Sequence, residues 1–100
     1  MHELVLISNK QEATIFKTIG FLVHIVRDEE EIEEVMRELS KNVVLIAFDT
    51  VFADYFNILK EKQKAIYPLY IPIPFTDEDS GKALLDVKEN IRKSIGIDLL

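Results

Sequence analysis

Four short apolar runs punctuate the chain: LVLI (Leu4 to Ile7), FLVHIV (Phe21 to Val26), VVLIAF (Val43 to Phe48) and YPLYIPI (Tyr67 to Ile73). Rich in branched and aromatic residues and bounded by polar ones, they read as strands. The first three are nearly continuous in hydrophobicity, the pattern expected of a strand covered by helices on both faces. Between the runs the spacing turns helical. Ile32, Val35, Met36 and Leu39 recur at i, i+3, i+4 and i+7, with Asp28 at the N-cap position ahead of three glutamates. Phe52, Tyr55, Phe56 and Leu59 repeat that spacing, and Ala13, Phe16 and Ile19 form a shorter stripe closed by Gly20. After the turn-rich FTDEDSGK, the residues Leu84, Val87, Ile91 and Ile95 mark a last helix that Gly96 terminates.

The order is therefore βαβαβαβα. Each strand–helix–strand unit closes as a right-handed parallel crossover, which predicts a three-layer αβα domain around a four-stranded parallel sheet. The strand order expected is 2-1-3-4, flavodoxin- or receiver-like. Pro68, Pro72 and Pro74 lack the N–H that a central strand must donate, so the fourth strand belongs at an edge, in agreement with that order. One domain over residues 1–100 is predicted, with the sheet core in 1–76 and a C-terminal helix and tail in 82–100.

Composition narrows the chemistry. A chain of 100 residues, 48% hydrophobic, buries roughly two-thirds of its unfolded surface in one core. No run approaches the roughly 20 apolar residues of a membrane span, and the start lacks the pattern of a secretory signal, so a soluble, cytoplasmic protein is expected. With no cysteine there is no disulfide, thiolate nucleophile or cysteine-ligated metal. A formal charge of -6 repels nucleic acid and anionic lipid.

Ligands of such sheets bind beyond the carboxyl ends of the strands, here at Ser8 and Asn9, Arg27 and Asp28, Asp49 and Thr50, and Phe75 and Thr76. The first of these turns, SNKQEA, contains no glycine for close approach to a pyrophosphate. Asp49 stands where a phospho-receiver domain carries its acceptor. The acidic residues such a domain needs after the first strand to hold magnesium are replaced by Ser8 and Asn9, so Asp49 is read as a helix N-cap. His24, inside an apolar strand with no acidic neighbour in sequence, is read as structural. Asp77, Glu78 and Asp79 lack calcium-loop spacing, and no serine has a nucleophile elbow or a histidine base near it in sequence. No catalytic residue, cofactor or metal site is predicted.

What remains is apolar material in PLYIPIPF and in IGIDLL after the last helix. Apolar clusters of this kind either pack back on the core or form a protein interface.

The whole chain resembles the F subunits of archaeal/vacuolar-type (A/V-type) rotary ATPases. The resemblance rests on the acidic βαβαβαβα order, the strand PLYIPIP and, most specifically, IRKSIGIDL, similar to the family's terminal helix running into Ile-Gly-Val/Ile-Asp. SNKQEATIFKTIG differs from the Gly-Asp turn and glycine-rich first helix common in the family. The resemblance implies a non-catalytic central-stalk (rotor) component. Such a component binds the coiled-coil D subunit of the stalk and couples ATP hydrolysis or synthesis in the A/B catalytic head to proton or sodium transport, without inserting in the membrane itself. It assigns the partner interface to Ile91, Arg92, Ile95, Ile97 and Leu99, with Tyr70, Ile71 and Ile73 of the edge strand. The alternatives are a degenerate receiver-like signalling or protein-interaction domain, and a flavodoxin-type domain binding a nucleotide or flavin.

Overall fold

A computed structural model describes residues 2–75 and residue 89. The strands are β1 (Glu3–Ser8), β2 (Phe21–Ile25), β3 (Val43–Asp49) and β4 (Leu69–Ile73), and the α-helices are α1 (Glu29–Glu38) and α2 (Ala53–Lys62). A 3₁₀ helix, Gln11–Ile19, joins β1 to β2, and a 3₁₀ turn, Thr50–Phe52, precedes α2. All pairings are parallel and the sheet order is β2-β1-β3-β4, as the crossover rule and the prolines of β4 require. Leu84, Val87, Ile91, Ile95 and Gly96 of the expected last helix lie outside the described residues.

The period-two geometry of strands divides the interior into two cores. On one face Leu4, Leu6, Phe21, Leu45, Ala47 and Ile73 meet Ala13 and Phe16 of the 3₁₀ helix. On the other, Val5, Ile7, Ile46 and Phe48 meet Ile32 of α1 and Phe52 and Phe56. Phe48 and Phe56 stack with centroids 4.7 Å apart, and Phe16 meets Phe21 edge-on at 5.8 Å. β1 and β3 are thus buried on both faces, which is why their hydrophobicity hardly alternates.

Two local structures refine the expectations. Ala13, Phe16 and Ile19 are spaced by three, the period of a 3₁₀ helix, so this stripe faces the sheet squarely only if the turn tightens. The hydroxyls of Thr14 and Thr18 donate to the carbonyls of Gln11 and Ile15, three residues back, at 2.8 and 2.7 Å. Gly20 closes the helix in the left-handed region, φ 96°, its N–H directed at the carbonyls of Lys17 and Phe16.

β2 departs from the expected two-sided cover. Only Phe21 of its five residues is buried, and Leu22 is 50% exposed. As an edge strand it needs no second neighbour, and the stripe of α1 packs over the central strands, which leaves the α1-side face of β2 half open.

Helix starts follow the sequence closely. Asp28 caps α1, its Oδ1 accepting from the Glu31 N–H at 3.0 Å. The Glu31 carboxylate in turn accepts from the Arg27 N–H at 2.6 Å and from Arg27 Nε at 3.1 Å. These bonds hold the Glu31 carboxyl below the ordinary carboxylate range.

Candidate functional site

The carboxyl ends of β1 and β3 bring Ser8 and Lys10 against Asp49, which is distant from both in sequence. Asp49 is 1% exposed, and its Oδ1 accepts from the Val51 N–H at 3.1 Å, the expected capping bond. Its Oδ2 accepts from the Ser8 hydroxyl at 2.9 Å and from Lys10 Nζ at 2.8 Å. Ser8 Oγ also accepts from the Lys10 N–H at 3.1 Å, which fixes the turn that delivers the lysine. The charged neighbour of the Asp49 carboxylate is thus a side-chain ammonium. Buried and holding three donors, this carboxylate ties β1 to β3 and to the 3₁₀ turn that precedes α2.

Lys10 is not singled out by the sequence pattern. The available signal is its place two residues after β1, since a 2-1-3-4 order sets the end of β1 beside that of β3. Among the described residues, no group of three or more His, Cys, Asp or Glu stands where a metal ion could be held.

The second candidate region is β4 with the loop before it. Gln63 Nε2 donates to the carbonyls of Ala65 and Pro68 at 2.9 and 3.0 Å, pinning the loop after α2. The Tyr67–Pro68 peptide is cis. Held this way, Ile66 is 77% exposed and Tyr67 52% exposed, and beside them lies a cavity of about 140 Å³ lined by Lys60, Ile66, Leu69 and Tyr70 among others. Tyr70 and Ile71 are half-buried. The Tyr70 ring lies 5.9 Å from Phe56, and burial followed by the influence of Tyr55 pushes its phenol above the ordinary value.

Ile73 differs from its neighbours. It is fully buried with Leu45 and Ala47, because the alternation of β4 turns it to the face beneath the 3₁₀ helix at the end of the strand nearest the core. As a surface side chain it is therefore corrected to a core residue. Ile66 and Tyr67, which sequence spacing does not single out, take its place on the exposed apolar edge. Ile91, Arg92, Ile95, Ile97 and Leu99 lie outside the described residues.

His24 sits on the half-open face of β2, half-buried in a groove lined also by Glu31, Glu34, Val35 and Glu38. Burial lowers its pKa and the Glu38 carboxylate partly opposes that effect. The acidic neighbour invisible in sequence is thus supplied by α1.

Among the described residues no helix is long and apolar enough to cross a membrane. No curated protein matches this sequence significantly. A family model described as "ATP synthase (F/14-kDa) subunit" matches residues 4–93.

Proposed function

The chain belongs to the family described as "ATP synthase (F/14-kDa) subunit", and from that premise we propose that it is the non-catalytic central-stalk component of an archaeal/vacuolar-type rotary ATPase. In this reading it grips the coiled-coil D subunit below the A/B head. Rotation of the pair couples ATP turnover to proton or sodium movement, on the cytoplasmic side of the membrane. The observation that carries the proposal is the family match over nearly the whole chain. The geometry is compatible with it: Asp49, the strand-end carboxylate that invites comparison with a phosphoryl acceptor, is engaged by Ser8, Lys10 and Val51, and a coupling component needs no such group.

The interface we assign joins Ile66, Tyr67, Tyr70 and Ile71 to the C-terminal residues Ile91, Arg92, Ile95, Ile97 and Leu99. Exposed Ile66 and Tyr67, with half-buried Tyr70 and Ile71 beside them, are the material from which a desolvated interface centre is made. Co-expression with a coiled-coil stalk protein, followed by size-exclusion chromatography, tests the proposal. A stoichiometric complex is expected, and Ile91→Asp or Ile95→Asp should weaken it while leaving the isolated chain folded. Separate elution would remove the rotor reading, and unfolding of either variant would return those side chains to the core.

A further inference from the structure

We propose that the outer edge of β2, with the groove between it and α1, is a docking site for an extended basic segment of a partner protein, added to the sheet as a strand. The proposal stands independently of the stalk assignment, because it rests on backbone geometry and charge at the opposite edge of the sheet.

The backbone direction of β2 follows from one bond. The Val26 N–H donates to the Ser8 carbonyl at 2.8 Å, so Val26 and, by strand alternation, Leu22 and His24 turn their polar groups towards β1. Phe21, Val23 and Ile25 then direct N–H and C=O away from the sheet. Among the described residues β2 has no neighbour on that side. No proline interrupts the strand, whereas β4 at the other edge carries Pro72 in mid-strand. Of the two edges, β2 is the one able to accept a full ladder.

The surroundings specify the occupant. A cavity of about 290 Å³ follows Val23, His24 and Ile25 against Glu34 and Glu38. A second, about 270 Å³, continues it past Leu22 to Glu3, and a third, about 450 Å³, lies along Phe21, Leu22 and Val23 with Lys17 at its margin. Glu31 is engaged by Arg27, but Glu34 and Glu38 make no ion pair among the described residues. Glu3 Oε2 is buried without a hydrogen-bond partner on the same wall. An oxygen in that state calls for a donor. A strand whose α1-side residues are arginine or lysine would supply donors to Glu3, Glu34 and Glu38 and lay their apolar stems along Leu22, and its alternate apolar residues would extend the opposite face beside Phe21 and Val23. A second copy of this chain fits poorly, because pairing β2 with β2 would bring two rows of glutamates together in a chain already at -6.

The test uses the full-length isotope-labelled chain and two short capped synthetic peptides, one alternating arginine with valine and one alternating glutamate with valine. The arginine peptide is expected to shift the amide signals of Phe21, Val23 and Ile25 and slow their hydrogen exchange about tenfold, with little change at Leu22 and His24. The glutamate peptide should do neither. Charge reversal at exposed positions, Glu34→Lys with Glu38→Lys, should weaken the arginine peptide about tenfold. Equal binding of both peptides, protection confined to other amides, or indifference to the double reversal would overturn the proposal. Dilution-dependent shifts at β2 without peptide would also overturn it, by assigning the edge to self-association.

Discussion

The two edges of the sheet handle the same hazard by different means. β4 closes its edge covalently: Pro72 offers no donor, and Pro68 and Pro74 flank the strand. Its side chains, such as Tyr70, and those of the loop before it, Ile66 and Tyr67, are then free to be apolar without inviting strand-by-strand aggregation. β2 keeps its donors and is guarded by charge, with Glu34 and Glu38 of α1 standing over the edge. An edge blocked by proline recognises through side chains, whereas one guarded by acid admits a strand whose side chains carry the opposite charge. A single small domain can therefore present two surfaces that do not compete for the same partner.

The largest expected effect breaks the β4 side. Phe56 is fully buried, stacked on Phe48 and in contact with Tyr70, so Phe56→Ala should cost about 3–5 kcal/mol in urea unfolding. Hydrogen exchange should then accelerate at Tyr70 and Ile71 more than at Leu22, since β2 is packed mainly from the 3₁₀ helix. Next is the strut between β1 and β3. Asp49→Ala strands the Ser8 hydroxyl, the Lys10 ammonium and the Val51 N–H, and should cost about 3 kcal/mol, with both edges weakened alike. Gly20→Ala acts just ahead of β2. A methyl there meets nothing within 4 Å, so the cost is purely that of the left-handed backbone, about 1 kcal/mol by thermal unfolding.

The smallest effect is titration of His24. Its folded pKa lies below 6.5 because burial disfavours the charged ring, with Glu38 only partly offsetting this. The folded chain thus binds fewer protons than the unfolded chain, and the stability contribution, complete above the unfolded value, is lost as pH falls through the folded one. The groups around the ring are Glu31, Glu34 and Glu38 of α1, Glu3 of β1 and Lys17 of the 3₁₀ helix. His24→Gln should flatten the stability curve as pH falls below the ordinary histidine value, measured by urea midpoints, and should leave the pH dependence well above that value unchanged.

Features of the fold set by local spacing or by strand chemistry were legible in the residues. The prolines placed β4 at an edge, Asp28 and Asp49 announced their caps, and the stripe of α1 was complete in sequence. Features set by adjacency were not. Lys10 and Asp49 are 39 residues apart and meet only because β1 lies beside β3. Continuous hydrophobicity in β2 suggested cover on both faces, yet an edge strand carries apolar residues for a neighbour it lacks. Ile73 looked like its neighbours in PLYIPIP, and only the depth of the sheet at that point separates it from Ile71. The 3₁₀ helix lay between these cases, its spacing of three visible in Ala13, Phe16 and Ile19 but readable as a short α-helical stripe.

Hydrogen exchange on the isolated chain and on its complex with a coiled-coil stalk protein decides whether the proline-blocked edge is the side turned to the coiled coil. A stable complex is expected in which amides of residues 66–71 slow while those of Phe21, Val23 and Ile25 exchange as before. Absence of a complex, or protection that falls on β2 and spares 66–71, would contradict that assignment.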